Sequence, residues 1–323
     1  MVMDKPAMTR SLAPTKGRRL IDALKCFFDG DIFYSYRRSP VTIIASIITA
    51  LILFSAVGAS WIAPHNPFDL ASLDLLDSHI PPAWDEEGDP RYLLGTDDQG
   101  RDLLSAILYG SRISLLVGFS SVIFSLVLGV GLGVISGYVG GTVDAVIMRI
   151  AEIQISFPAI LIALLVDGIL RTMIPHADAE RLAIIVLIFS IGISGWVQYA
   201  RTVRSSTMVE KNKEYVQAAR VIGIRPMLIM LRHILPNVMG PVLVIATIHL
   251  AVAIITEATL SFLGVGVPPT HPSLGTLIRI GNDFLFSGEW WITIFPSVFL
   301  AVLVLSVNLL GDRLRDALNP KLR

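Results

Sequence analysis

The chain has little charge and almost no cysteine. Only 16% of its 323 residues are Asp, Glu, Lys or Arg, against 53% hydrophobic, which leaves too little polar surface to cover a soluble globule. A single cysteine, Cys26, excludes an internal disulfide, and no Cys/His cluster has metal-ligand spacing. Cys26 reads as an inert thiol near a membrane surface. No Gly-x-x-x-x-Gly-Lys-Ser/Thr stretch occurs, so the chain has no P-loop for nucleotide phosphates. Lys and Arg total 26 and Asp and Glu total 26, so the net charge says nothing about partners. In a polytopic membrane protein the information lies in which loops hold the charges.

Six apolar runs are long enough to cross about 30 Å of hydrocarbon as helices: 41–62, 113–136, 144–166, 183–203, 238–262 and 290–310. The first follows a polar, basic segment, 1–40, and is about twice as long as a signal-peptide core, so it reads as a retained span. Lys and Arg number eight in residues 1–40, seven from Arg201 to Arg232 and four from Arg313 onward, whereas the 63–112 loop carries ten acidic residues. The positive-inside rule then makes both termini, the 204–237 loop and the 311–323 tail cytoplasmic, and 63–112 extracytoplasmic. The fold expected is all-α and integral to the membrane, with six transmembrane helices.

Ser121, Ser125, Gly129, Gly133 and Gly137 recur every fourth residue in the second span and give it one small face. Such a face lets helix backbones approach closely, and it reads as bundle packing in preference to a subunit interface. Ionisable groups inside spans need partners or a watery path. Arg149 and Glu152, at i and i+3, are set to pair with each other. Asp167 lies near a span edge, and His249 reads as a hydrogen-bonded packing residue. Glu257 has no evident partner; a lining role in a solute path and a structural bond to nearby backbone stand level. Gln154, Ser156, Phe157 and Pro158 form a polar patch and a kink, because Pro158 removes a backbone donor. These four, with His249 and Glu257, are the candidate translocation path.

Outside the spans, Asp97, Asp98, Arg101 and Asp102 crowd into LGTDDQGRD. Arg101 opposes a Ca²⁺ site and no full EF-hand loop is present. The cluster reads first as turn-forming and intrachain pairing ahead of an amphipathic helix, and second as a contact for an extracytoplasmic binding protein. The tract from Pro64 to Pro90, rich in proline and acid, reads as an extended loop over the outer mouth.

The most informative segment is 207–237, a basic, helix-prone insert between two long apolar runs. Tyr215, Ala218, Ala219 and Ile222 lie at i, i+3, i+4 and i+7 and predict a narrow apolar face opposite Glu214, Gln217 and Val221. Gly223 supplies a left-handed stop, and Pro226 suits the first turn of a second helix that ends before Pro236. A face with two alanines is too shallow for a core and fits a groove on another protein.

QAARVIG followed by RHILPN resembles the EAA loop of binding-protein-dependent ABC transporter permeases. Gln217, Ala218, Ala219, Gly223, Leu235 and Pro236 match in register, while Gln217 replaces the motif Glu and His233 the motif Ile; Glu214, three residues earlier, is available as a carboxylate. The resemblance extends through LLGTDDQGRDLLSAILYGSRISLLVG (93–118), GYVGGTVDAVIMRIAEIQISFP (137–158), EATLSFLGVGVPP (257–269) and GDRLRDALNPKLR (311–323), and narrows to the C-type subunit of dipeptide and oligopeptide permeases. Nickel, opine and glutathione permeases share these stretches, so the cargo does not follow.

What the resemblance implies is a transport subunit, not an enzyme, with type I importer architecture in a bacterial inner membrane. It implies a second homologous permease in a heterodimer, two cytosolic ATPases that bind ATP and Mg, an extracytoplasmic solute-binding protein and surrounding lipid. It implies no cofactor in this chain and no nucleic acid. Glu214, Tyr215, Gln217, Ala218, Ala219, Arg220, Gly223, His233 and Pro236 are the residues it places at ATPase coupling. A competing class is an intramembrane serine protease, since Gly192-Ile193-Ser194-Gly195 matches a Gly-x-Ser-Gly pattern with His249 at similar depth. That reading leaves the 207–237 insert unexplained. An ion-coupled secondary transporter predicts inverted repeats, and no convincing repeat is visible.

Overall fold

The computed structural model describes residues 39–68, 73–173 and 179–318, and the basic leader with Cys26 lies outside them. The chain divides between Ile44 and Ala45 into two units. Of the first, the described part is the opening of α1 (Pro40–Val57), where the Thr42 hydroxyl donates to Ser39 Oγ at 2.9 Å. The second unit is a helical bundle. No strand occurs among the described residues.

After α1 and a single turn, Ala59–Ile62, the bundle consists of α2 (Leu103–Val139), α3 (Gly141–Ile155), α4 (Ala159–Met173), α5 (Ala179–Glu210), α6 (Glu214–Val221), α7 (Pro226–Phe262), α8 (Leu274–Phe284) and α9 (Trp290–Leu318). Among the described residues five helices are long and apolar enough to cross a membrane, and α3 with α4 makes a sixth crossing if the bent pair is one span.

Asp102 caps α2 by accepting from the Ser105 amide at 2.9 Å, and the helix runs about 55 Å, well beyond a bilayer core. The helix expected ahead of the second span is therefore continuous with it. The small stripe of α2 faces α5 of the same chain. Ser125 Oγ donates to the Gly192 carbonyl at 2.7 Å. A Cβ on Gly129 would lie 2.4 Å from the Trp196 carbonyl oxygen, and one on Gly133 2.6 Å from that of Ala200. Backbones meet where side chains are missing, the packing that small faces permit in lipid. Leu116, Phe119, Ile123 and Val127, off the stripe, are exposed.

The run expected as one kinked span, 144–166, is two helices bent by 100°. Pro158 has no N–H to give, and the Ser156 amide is shared between the Glu152 and Ile153 carbonyls, so the last turn of α3 tightens and stops. At Pro236 the opposite correction applies. The second helix of the insert does not end there but runs from Pro226 into the fifth span, with a π turn at Met230–Ile234 immediately before the proline. That wider turn absorbs the donor that Pro236 lacks.

Helix α8 was not foreseen. Its signal was present: Ser273 Oγ caps the Thr276 amide at 3.4 Å, and Leu274, Leu277 and Ile280 bury one face. Among the described residues the stretch from 73 to 102 also differs from the extended strap expected between Pro64 and Pro90. It folds down, with Tyr92 donating to Asp77 at 2.7 Å, His79 paired with Glu289 at 2.5 Å, and Trp84 edge-on to Phe295. Aromatic rings and internal ion pairs hold proline-rich chain compact. One apolar core lies at this end (Leu103, Ile107, Leu274, Trp291) and another at the end bearing α6 (Val130, Val134, Tyr199, Val203).

Candidate functional site

Helix α6 is short and docked. Glu214 opens it and Arg220 lies in its last turn, both favourable to the helix dipole. Its end is a Schellman turn: the Ile224 amide reaches the Ala219 carbonyl (3.1 Å), the Gly223 amide reaches Arg220 (3.0 Å), and Gly223 has φ +84°. The turn carries Ile224 back to the bundle, where it joins Val216 and Ala219 against Val130, Val134 and Val203. The expected apolar face is therefore divided. Ala219 points inward with Val216, whereas Ala218 and Ile222 point outward. Val221, assigned by periodicity to the polar side, is 88% exposed beside Ile222 at 77%. A free apolar tip remains at the end of α6.

Polar contacts tie this helix and the turn leading into it to the spans. Tyr215 donates to Glu210 at the end of α5, and Asn237 Nδ2 donates to the Tyr215 hydroxyl (3.1 Å) and to the His233 carbonyl (2.7 Å). Burial first, then the Glu210 carboxylate beside it, pushes the Tyr215 phenol up to about 12, so it remains a donor. Lys211 Nζ donates to the Gly137 carbonyl at 2.7 Å, and the Arg220 guanidinium lies 5.0 Å over the Tyr138 ring. Below them Arg204 Nη2 holds Asp144 at 2.6 Å, joining α5 to α3. Gln217 donates to the Lys211 carbonyl at 3.3 Å, and Pro236 lies exposed in the first turn after the π segment.

The candidate path residues are not gathered in one place. Gln154 Nε2 donates to the Ile193 and Ser194 carbonyls (2.9 and 3.0 Å), and its Oε1 accepts from Trp196, so its amide is spent on α5. Ser156 donates to the Glu152 carbonyl, and Phe157 stands exposed at the break. Arg149 and Glu152 pair on an exposed surface at 3.5 Å, and Asp167 pairs with Arg171 at 2.6 Å. His249 is buried, bonded through Nδ1 to the Tyr199 hydroxyl at 3.1 Å, and packed on Gly195. Ser194 donates to the Ile191 carbonyl instead, and no hydrogen bond joins it to His249. A serine nucleophile needs a base within hydrogen-bond reach, so the geometry gives no support to a protease.

Glu257 is fully buried and accepts from Ser261 at 2.8 Å. Ahead of α2, Asp97 accepts from Arg101 Nε at 2.6 Å and from two backbone amides; Arg101 is 2% exposed, and Asp102 is the α2 cap. Only Asp98 of this group is partly open, its carboxyl pushed up by burial and then by neighbouring Asp97. Among the described residues no group of three or more His, Cys, Asp or Glu is arranged to hold a metal.

Residues 129–323 match the family described as binding-protein-dependent transport system inner membrane component. The chain belongs to that family. This permease is 39% identical over 293 residues to the dipeptide transport system permease protein DppC of Haemophilus influenzae, covering 91% of this chain and 95% of the relative. It is 40% identical to the protein of the same name from Escherichia coli K12, over 91% and 93%, and 35% identical to the oligopeptide transport system permease protein OppC of Bacillus subtilis, over 91% and 90%. A chain of the MetNI methionine ABC transporter, solved in inward-facing conformations, aligns with a TM-score of 0.51 at 20% identity, over 67% of the permease and 98% of that chain, and so shares its fold. The permease is a multi-pass membrane transport component, not an enzyme.

Proposed function

We propose that this permease forms half of the membrane path of an ATP-driven peptide importer. Its partners are a second homologous permease, two cytosolic ATPases that hold ATP and Mg, and an extracytoplasmic binding protein, with both termini of the chain in the cytoplasm. The observation that carries the peptide reading is the 39–40% identity, across more than nine-tenths of their length, to dipeptide permeases.

The coupling element is α6. Its projecting Ala218, Val221 and Ile222 suit an apolar cleft on an ATPase, with Glu214, Gln217 and Arg220 as the polar rim. When nucleotide closes the ATPases, displacement of α6 passes along the contacts of Val216 and Ala219, through Tyr215 to α5 and α7, and through Arg220 to α2. Gly223 and the π turn at Met230–Ile234 are the places where backbone can yield. Exposed Ser156 and Phe157, at the 100° break, are the path residues best placed to meet solute; Gln154 and His249 serve packing.

The test is purification of the tagged chain from its native membrane, followed by reconstitution with its companions. Two ATPases and a second permease should copurify, and MgATP with binding protein should drive uptake of a labelled dipeptide but not of nickel or an opine. Absence of any ATPase, or uptake of nickel in place of dipeptide, would overturn the reading.

A further inference from the structure

The LGVGVPP segment between α7 and α8 is held by arginines from two other parts of the chain. Arg101 Nη1 donates to the Pro269 carbonyl at 3.1 Å, and Arg171 Nη2 donates to the Val265 and Gly266 carbonyls at 2.6 and 2.9 Å. A third arginine lies against the same segment with nothing to hold. Arg279, on α8, is half-buried, its Nε is buried without a hydrogen-bond partner, and no carboxylate among the described residues is within ion-pair distance of it. A guanidinium carries five donors, and burying them unpaired is costly. Arg279 and Arg171 line one open cavity of about 310 Å³ with Gly264, Gly266, Pro268 and Pro269, and among the described residues no acidic side chain lines it. Asp167 neutralises Arg171 from behind, which leaves a surplus positive charge facing the cavity.

The loop is built to leave that charge open. Gly264 has φ +81°, and a Cβ there would meet Arg279 Nη1 at 3.4 Å, so the glycine brings backbone alongside the guanidinium without covering it. Pro268 and Pro269 stiffen the lip. The cavity lies at the end of α7 remote from α6, which is the extracytoplasmic end in the orientation proposed above.

We propose that this cavity is a carboxylate-binding pocket that receives an acidic side chain of the extracytoplasmic binding protein, with Arg279 as the bidentate partner. The inference rests on the importer reading and moves the main docking contact: Asp97, Arg101 and Asp102 are buried and Asp98 is only partly open, whereas Arg279 is half-buried, without a hydrogen-bond partner at Nε, and lines the open cavity. A preformed pocket bounded by elements of one chain, with a rigid lip, suits a protein that must dock repeatedly in one geometry better than a solute in transit.

The test measures binding of the solute-loaded binding protein to the whole transporter in lipid nanodiscs. Arg279→Gln should weaken docking by roughly 10- to 100-fold and flatten its salt dependence, and Arg279→Lys, which keeps the charge but not the fork, should fall between. A photocrosslinker on Thr270→Cys, next to the Pro269 lip, should capture the binding protein near an Asp or Glu, a readout that leaves Arg279 in place if its variants fail to assemble. Docking by Arg279→Gln with wild-type affinity and salt dependence would overturn the proposal, as would unchanged docking with loss only of transport rate, which would make the solute the source of the carboxylate. Failure of the unmodified transporter to bind any solute-binding protein would instead sink the importer reading.

Discussion

The Arg220 guanidinium rests 5.0 Å above the ring of Tyr138, placing the last turn of α6 on the last turn of α2. Because α2 is the helix whose glycines lie against α5, a push on α6 enters the most closely packed pair in the bundle. A cation over an aromatic face at a partly open site contributes about 0.5–1 kcal/mol. Tyr138→Phe keeps the face and should leave transport per ATP unchanged. Tyr138→Leu and Arg220→Ala should each lower uptake several-fold at a given ATPase rate. Equal coupling ratios in all three variants would remove this contact from the transmission path.

Gly223 is the sharper case. Its φ of +84° and the hydrogen bond its N–H donates to the Arg220 carbonyl are both incompatible with proline, whose φ is fixed near −65° and which has no N–H. Gly223→Pro should leave membrane insertion and binding-protein docking largely intact while separating ATP hydrolysis from uptake. Gly223→Ala, strained by about 1 kcal/mol, should show a milder form of the same defect. Normal uptake by the proline variant would refute the hinge.

The glycines of α2 make opposite predictions according to face. A side chain at Gly129 or Gly133 has the α5 backbone within 2.6 Å, whereas Gly131 has nothing within 4 Å. Gly129→Val and Gly133→Val should therefore cost about 3 kcal/mol or more and lower the melting temperature or abolish assembly, while Gly131→Ala should be neutral or slightly stabilising. Thermal denaturation of the purified complex separates the two. Equal tolerance at 129 and 131 would mean that α2 and α5 do not pack as described.

These contrasts mark what a linear chain discloses. The stripe from Ser121 to Gly137, the Asp97–Arg101 pairing and the glycine stop at 223 are legible because each is a local pattern whose preferred reading needs only neighbouring residues. Two prolines mislead in opposite directions: Pro158 marks a full break and Pro236 no break at all, because a π turn at Met230–Ile234 takes up the donor that Pro236 lacks. Periodicity puts Val221 on the polar side because it orders faces without saying which one a neighbour covers, and Ile224 decides that from beyond the turn. The idle Arg279 was invisible for the same reason: whether an arginine has a partner depends on residues a hundred positions away.

Glu257 has that long-range character too. Its Oε1 accepts from Ser261, whose own hydroxyl accepts from the Val267 amide at 3.4 Å; nearby Ser114 accepts from the Leu274 amide and Ser273 caps α8, so hydroxyls from α2, α7 and α8 converge there. The Ser114 and Ser273 hydroxyls face the same carboxyl, and no cation among the described residues lies within ion-pair distance. A carboxyl in such company works through shape and hydrogen bonding, so an amide of the same outline should replace it. Glu257→Gln is expected to assemble and transport within about twofold of the parent, a difference below roughly 0.5 kcal/mol. Glu257→Ala opens a cavity and orphans the hydroxyls, and should cost about 3 kcal/mol, visible as a fall in melting temperature. Loss of transport in a stably assembled Gln variant would show that the ionised group itself acts on the solute path.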